Sequence, residues 1–574
     1  MGKKEEIAEI FYNIASILEI QNVQWKPAAY RKAARSLESL GEDVEEIYKE
    51  KGLLGLEEIP GIGERLAKKI VEYLTTGKIK EWEKLKKTLP PGFYEMLKVP
   101  GLGVKKAYIL YKKLKIKNLK ELEKAAKTHK ISKSNIFGFK EKTEENILQG
   151  IEFLKKSGKE ERKLLSQVLP IAKELQQQIL KIKSVKKVDI AGSLRRMKET
   201  IRDVDMLVCC NAEALNNITK LPIISRTTAK GPTRASVIIK NNIQVDIRIV
   251  PEESYGSALQ YFTGSKEHSI HLRKICVKKR LKLNEYGLFK GKNKIAGKTE
   301  EEIYKALGLQ YIEPELREDR GEIEFALQKK LPKIVNYNEI IGDLHVHTNE
   351  SDGNNTLQEM ADSAKRLGRK YLAICDHGGE HLPIARALSI KRLEKQIKAI
   401  DKFNSKSDIF ILKGTEIDIL ADGNLSLPNS ILRKLDIVTA SVHSGFKFPE
   451  EKMTKRILKA LDNPYVSVLG HPTGRIIFER EPYKINIERI FEKAAERSIA
   501  LEINAFPNRL DLNDTNVKLA LDYKCKFAIG TDSHAKEHLN YLIYGAAVAR
   551  RGWATSNDIL NTFSKEKLIK WLKR

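Results

Sequence analysis

From residue 341 onward the chain repeats one pattern: a short apolar run, a polar or charged residue at its C-terminal end, then a helical stretch. Residues 371–375 precede Asp376-His377, 409–413 precede Thr415-Glu416, and 437–440 precede His443. The series continues with 466–469 before His471, 500–503 before Asn504 and 527–529 before Asp532. Strands that alternate with helices build a parallel sheet. A series this regular argues for a β/α barrel whose site lies at the strand C-termini.

Eight of the eleven histidines fall between 345 and 538, so the enrichment is local. His345-Val346-His347 follows a strand and puts both imidazoles on one side of it. Asp352, His377, Glu416, His443, His471 and the pair Asp532 and His534 each lie just past a predicted strand. Nine nitrogen and oxygen donors at one barrel mouth suit two or three Zn²⁺ or Mn²⁺ ions. Such a cluster neutralises phosphate charge and generates a nucleophile, the chemistry of phosphoester hydrolysis. His381 and His538 fall one turn after ligand candidates and are read as bystanders or outer supports.

The first half carries a second constellation. Gly192-Ser193-Leu194-Arg195-Arg196 is followed by Asp203-Val204-Asp205, and a third aspartate stands at Asp246. Carboxylates at i and i+2 on a strand share one face of a sheet. The pattern predicts strands at 187–191, 205–210, 235–240 and 243–250. Asn241-Asn242 is a hairpin turn between the last two, since both residues tolerate positive φ. That hairpin carries Asp246 beside Asp203 and Asp205, completing an oxygen cage for two divalent cations in phosphoryl transfer. The Gly192-Ser193 turn is expected to present N–H groups and a hydroxyl to a triphosphate at a helix N-terminus.

Residues 1–90 read as helices, with Ile7, Ile10, Phe11, Ile14, Ile17 and Leu18 at helical spacing. Ile59-Pro60-Gly61-Ile62-Gly63 and Val99-Pro100-Gly101-Leu102-Gly103 repeat one turn about 40 residues apart. Their glycines allow tight turns, and each is succeeded by a basic amphipathic segment whose N–H groups meet a phosphate oxygen. Lys69 lies beyond the first turn. A lysine among cations such as Lys26, Arg65 and Lys68, beside Tyr30, is a candidate Schiff-base nucleophile, although lysines on such helices are usually only solvated.

Net charge is +28, from 104 Lys and Arg against 76 Asp and Glu. That charge suits a nucleic-acid backbone or a solvated lysine-rich surface, and the motifs decide between them. The apolar runs fall far below the roughly 20 residues of a membrane span, and the N-terminus lacks the apolar run of a signal peptide. Five cysteines without zinc-ligand spacing fit a reducing cytoplasm. At 574 residues the chain predicts about three to five domains.

Residues 1–313 resemble a family X DNA polymerase. The resemblance rests on 25–34, 59–63, Gly192 to Arg196, Asp203 to Asp205, Val245-Asp246-Ile247-Arg248 and Tyr261-Phe262-Thr263-Gly264-Ser265. It implies that Asp203 and Asp205 bind both catalytic ions, Mg²⁺ or Mn²⁺, and that Asp246 helps activate the primer 3′-OH. It implies that Ser193 and Arg196 hold the β- and γ-phosphates, with Arg162 a further contact by its spacing. Tyr261, Phe262 and Gly264 would wall the deoxyribose pocket. The family's asparagine at the incoming base edge is replaced here by Ser269, preceded by His268. Both helix-turn repeats resemble helix-hairpin-helix motifs, which assigns Gly61, Gly63, Gly101 and Gly103 to the DNA backbone. Lys69 matches the family's 5′-deoxyribose-phosphate lyase lysine, with Lys26 and Arg65 near the 5′-phosphate and Tyr30 a further DNA contact.

Asp343-Leu344-His345-Val346-His347, Gly470-His471-Pro472 and Thr531-Asp532-Ser533-His534 resemble the PHP (polymerase and histidinol phosphatase) domain. The order of the two halves is that of bacterial and archaeal family X polymerases. The fold expected is a helical helix-hairpin-helix region, an α+β nucleotidyltransferase palm and thumb, then a distorted β/α barrel. The domains expected are 1–90 (lyase-like), 91–150 (fingers-like), 151–250 (palm), 251–313 (thumb), a linker at 314–340 and the PHP domain at 341–574. The resemblance implies a cytoplasmic, monomeric repair polymerase acting on gapped or primed DNA and dNTPs, with 3′–5′ exonuclease, 3′-end-processing or abasic-site endonuclease activity. The competing readings are a histidinol-phosphatase-like phosphoesterase and a silent DNA-binding scaffold. The helix-hairpin repeats and the intact ligand sets argue against both.

Overall fold

The structure is a computed structural model. It describes the chain apart from residues 1–2, 21–22, 40–43, 60, 87–91, 98, 100, 101, 103, 135, 137, 142, 146, 149, 152–161, 212, 380–386 and 574. Two compact units are present, Met1–Glu161 and Arg162–Arg574. Among the described residues no helix is long and apolar enough to cross a membrane.

The first unit is helical and holds two apolar clusters, one drawn from residues 7–82 and one from 93–151. Ile7, Phe11, Ile14 and Leu18 of the helix Lys3–Ile20 lie in the first cluster, as the 3.6-residue spacing predicts. Gly61, with φ +86°, makes the turn that starts the helix Glu64–Thr76. A side chain there would collide with the stem of Lys32. Gly101 and Gly103 of the second repeat lie outside the described residues, as does His381 of the C-terminal half.

The second unit begins with a five-stranded mixed sheet: β1 (Val185–Ile190), β2 (Asp203–Cys210), β3 (Ile224–Lys230), β4 (Arg234–Ile239) and β5 (Ile243–Ile249), in the order β1-β2-β5-β4-β3. Asn241 and Asn242 take φ of +59° and +56° and turn β4 into β5, as predicted. β5 then pairs parallel to β2 with Asp205 opposite Asp246. Strand β3 was not expected. It is an edge strand with mostly exposed residues, and it lacks the apolar alternation that marks a half-buried one.

The barrel follows: β6 (Gly342–Val346), β7 (Tyr371–Ile374), the short β8 (His377–Gly378), β9 (Phe410–Asp418), β10 (Ile437–Ser441), β11 (Val468–Leu469), β12 (Ala500–Asn504) and β13 (Phe527–Gly530). Their order is sequential and parallel, β6-β7-β9-β10-β11-β12-β13, with β8 beside β9. A parallel bridge from Val346 to Ser533 draws the last strand back towards the first. This is the expected distorted β/α barrel.

The stretch 314–340 corrects the sequence reading. It is not a tether but part of the folded body, with a turn at Pro314–Leu316 and a helix at Glu322–Leu327. Arg317 is fully buried and pairs with Glu300 at 2.5 Å. Arg550, on the helix Leu542–Arg551, holds Glu315 at 2.8 Å, and Arg551 holds Glu318 at 3.0 Å. Charged residues of this stretch are thus held in buried ion pairs with partners distant in sequence. A cross-brace at 2.6 Å, Arg475 to Glu199, ties the loop after β11 to the segment before β2.

Candidate functional sites

Asp203, Asp205 and Asp246 stand on neighbouring parallel strands, and β2 places Asp203 and Asp205 on one face. Gly192, φ +63°, lies so close that a Cβ would stand 2.5 Å from Asp205 Oδ2, so only glycine lets the loop approach the carboxylate. Burial, then the charges of Asp203 and Asp246, raise the Asp205 carboxyl from 3.8 to about 6. Arg202 donates to Asp203 at 3.1 Å, and Ser236 donates to Asp246 Oδ1. The tight His and carboxylate groupings among the described residues all lie in the barrel.

Ser193 sits in a single helical turn, Gly192–Arg195, shorter than the helix expected. Arg196 donates to Glu318 at 2.9 Å and to the Thr263 carbonyl. Arg162 reaches Thr200 Oγ1 at 2.8 Å, fastening the ribbon Lys163–Leu164 with Thr200–Ile201. Tyr261 and Phe262 meet edge to face at 5.1 Å, and Arg248 stacks on Phe262 at 4.4 Å. Gly264, φ +63°, ends the helix Tyr255–Thr263, and a Cβ there would stand 3.3 Å from Arg196 Nη1. Ser269 is buried with its hydroxyl unpartnered, while His268 beside it bonds Glu322 at 2.6 Å and Tyr304 at 3.0 Å. The sequence reading missed Arg195, which holds Glu300 at 2.6 Å and Thr263 at 2.6 Å. Burial opposes ionisation of Glu300, yet Arg317 and Arg195 outweigh it and hold its carboxyl down at about 2. The loop is thereby anchored to the helix behind the sugar-pocket candidates.

In the first unit, Lys69 pairs with Glu81 at 2.5 Å, and the Tyr30 hydroxyl donates to the same carboxylate at 2.7 Å. Burial works to raise the Glu81 carboxyl, but the bonds from Lys69 and Tyr30, and the nearby Lys26 charge, keep it below its ordinary value. Glu81 was not foreseen. Lys68 turns instead to Glu64, at 2.5 Å on the exposed face, and Gly63 caps the helix that carries Arg65.

The barrel draws eight of its nine predicted donors into three interlocking groups with donor atoms within 4.8 Å. His347, Asp352, His377 and His534 form one, His345, His347 and Asp532 another, and His377, Glu416 and His443 the third. His471, the ninth, stands 3.1 Å from Glu416. His345 and His347 direct their Nε2 atoms at each other across 3.2 Å, where two imidazoles share at most one proton. Nδ1 of His347, His377 and His471 is buried without a hydrogen bond, and His377 Nδ1 lies 3.1 Å from Glu416 outside bonding geometry. Buried, unpaired imidazole nitrogens facing carboxylates are what divalent cations satisfy, so the residues fit metal ions.

Supports stand behind them. Glu502 accepts from His345 Nδ1 and from the His471 N–H, and Asp418 holds His443 Nδ1 at 2.6 Å. Asp376 accepts from Thr348 and from Gln396. A carboxylate inside an otherwise apolar strand, as in Ala500-Leu501-Glu502-Ile503, was the signal overlooked. His538 accepts from the His534 N–H at 3.4 Å and stacks on Tyr541, as an outer support. Burial opposes protonation of His443 and His534, but Glu416 and Asp418 raise the first to about 10, and Asp352 and Asp532 raise the second to about 9.

Comparison with known proteins agrees with this division. Residues 2–79 match a helix-hairpin-helix domain and 93–152 a SAM-like helix-hairpin-helix tandem. Residues 258–318 match a DNA polymerase beta thumb, and 343–506 a PHP domain. The DNA polymerase/3′-5′ exonuclease PolX of Bacillus subtilis (strain 168) is 36% identical over 581 residues, covering 100% of this chain and 99% of that protein. A probable phosphatase of Thermoanaerobacter sp. (strain X514) is 32% identical over 238 residues, 39% of this chain and 91% of that protein. A probable phosphatase of Clostridium novyi (strain NT) is 34% identical over 209 residues, 33% of this chain and 78% of that protein. With helix-hairpin-helix, thumb and PHP segments in one chain and a full-length relative of that kind, the protein belongs to the bacterial and archaeal family X DNA polymerases that carry a C-terminal PHP domain.

Proposed function

We propose that the chain fills short gaps in DNA and trims 3′ ends, using separate sites for the two reactions. The observation that carries the first site is the register of Asp205 beside Asp246, with Gly192 against the carboxylate. In this reading Asp203 and Asp205 hold two divalent cations, Mg²⁺ or Mn²⁺, and Asp246 draws the proton from the primer 3′-hydroxyl. Ser193, Arg196 and Arg162 bind the triphosphate, Arg196 exchanging Glu318 for phosphate oxygen. Tyr261, Phe262 and Gly264 close on the deoxyribose, and Ser269 stands near the base. Gly61, Gly63, Gly101 and Gly103 approach the DNA backbone.

The nine barrel donors, His345, His347, Asp352, His377, Glu416, His443, His471, Asp532 and His534, hold two or three ions, Zn²⁺ or Mn²⁺. Cations in both centres neutralise phosphate charge and activate the attacking oxygen. Glu502 and Asp418 fix the tautomers of His345 and His443, so that Nε2 of each is free to bind. A 3′-terminal phosphodiester, or the strand at an abasic site, is the substrate proposed. A second activity is proposed at Lys69, which would leave its ion pair with Glu81 to form a Schiff base with a 5′-deoxyribose phosphate, with Tyr30 and Lys26 beside it. The working form is proposed to be a cytoplasmic monomer.

The test is extension of a labelled primer across a gap, with dNTPs and Mg²⁺ or Mn²⁺, beside phosphate release from histidinol phosphate. Extension lost in Asp203→Ala, without release from the monoester, supports the proposal. Monoester hydrolysis with no extension overturns it in favour of a small-molecule phosphatase.

A further inference from the structure

The helix Ile390–Asn404 buries Leu393 and Ile400 and is tied to the metal loops by Gln396, which donates to Asp376 at 2.5 Å. Its other side is unlike an ordinary solvated face. Lys395, Ala399, Lys402 and, just beyond the helix end, Lys406 follow at i, i+4, i+7 and i+11 and line one groove of about 720 Å³. The opposite wall is the helix Leu357–Arg366. At one end the groove is lined by Thr348, Asn349 and Glu350, the segment between His347 and Asp352. That end abuts the loop that joins two of the metal-donor candidates, His347 and Asp352. Gln396 also lines it, nine-tenths buried, and its Oε1 has no hydrogen-bond partner.

The acids in this groove are already engaged. Asp408 holds Lys365 at 2.7 Å, Glu350 lies 3.7 Å from Arg392, and Asp362 accepts from Gln358 at 2.9 Å. Among the described residues Lys395, Lys402 and Lys406 have no carboxylate partner and are exposed. Three such ammonium groups span about 16 Å at 1.5 Å per residue. That is a track several nucleotides long, at about 3.4 Å or more each. The donors beyond that loop are deeply set: His345 and His347 are at most 1% exposed and Glu416 2%. A phosphodiester that reaches them must leave a base pair, which costs least at a frayed or mismatched end.

We propose that this groove carries the single-stranded 3′ tail being trimmed, with Lys395, Lys402 and Lys406 on its phosphates and Gln396 Oε1 accepting from the chain within. The proposal rests on the exonuclease reading of the barrel.

The test compares the full-length protein with the triple variant Lys395→Ala, Lys402→Ala, Lys406→Ala and with the corresponding triple Arg variant. The substrates are labelled oligothymidylate and the same strand in a blunt duplex, with Mn²⁺, over a range of KCl. The alanine variant is expected to raise KM for oligothymidylate roughly 10- to 100-fold at moderate salt and to lower the log–log salt slope by about 2, three contacts at about 0.7 each. Its kcat, bound metal and gap filling should match wild type, and arginine should restore KM. Unchanged KM and slope, a loss confined to kcat, or an equal KM rise on blunt duplex would overturn the track. If wild type shortens neither substrate, the exonuclease reading fails instead.

Discussion

Replacing Asp205 by Asn probes the electrostatics of Asp203, Asp205 and Asp246, the aspartates proposed for the polymerase site, in a way that loss of activity does not. The carboxyl titrates at about 6 in the fold, raised by burial and by Asp203 and Asp246, and near its ordinary ~3.9 when unfolded. Between those values the folded chain keeps a proton that the unfolded chain has released. Stability therefore falls as pH rises through this window, and the penalty is complete above the folded value. A shift of about two units corresponds to roughly 3 kcal/mol, and partial exposure of the residue discounts this to about 1–2 kcal/mol. Asn has the same shape without the charge. In chelator, Asp205→Asn should be more stable than wild type by about 1–2 kcal/mol near pH 8, and the gap should fall to about half near pH 5 and close below about pH 4. Urea unfolding of the Arg162–Arg574 unit, followed by hydrogen exchange at β2 and β5, reads the difference. Saturating Mg²⁺ should reverse the order, because only the intact carboxylates gain from the ion. A metal-free variant less stable than wild type near pH 8, or a gap that ignores pH, refutes the claim that these carboxylates repel one another at the site.

Metal binding by the barrel should release protons, because His443 and His534, held near 10 and 9 in the metal-free chain, must become neutral to ligate. Calorimetry in two buffers of different ionisation enthalpy should show that release together with affinity that climbs with pH up to those values; buffer-independent heats would contradict it. Glu502→Gln removes the charged acceptor of His345 and should cost about 10- to 100-fold in metal affinity, seen as metal lost on dialysis, while gap filling persists. Retention of full metal content would show that His345 does not need this orientation. Borohydride should trap the chain on a 5′-deoxyribose-phosphate end through Lys69, and Lys69→Ala should abolish the adduct; trapping that survives places the nucleophile elsewhere.

Much of the fold was legible because its signals were local. The apolar runs of the barrel needed no partner to be recognised, and Asn241-Asn242 announced the turn that aligns Asp246 with Asp205. Strand β3 escaped because an edge strand keeps polar residues on both faces. The stretch 314–340 was misread because Arg317, Glu315 and Glu318 pair with Glu300, Arg550 and Arg551, and pairing at long separation leaves no local trace. At the barrel mouth, the residues that come together were readable from residue type and position. Their supports Glu502 and Asp418 were not, nor was Glu81 beside Lys69, since a carboxylate's task depends on what folds against it.

The most direct test of the account places both reactions on one substrate: a labelled primer with a mismatched 3′ end in a gap, with Mn²⁺ and dNTPs, given to wild type, Asp203→Ala and His345→Ala. Wild type should trim and then extend, Asp203→Ala should trim without extending, and His345→Ala should leave the mismatched end unshortened while still extending a matched primer. Loss of both reactions in either well-folded variant would contradict the claim that one chain builds and removes DNA at separate centres.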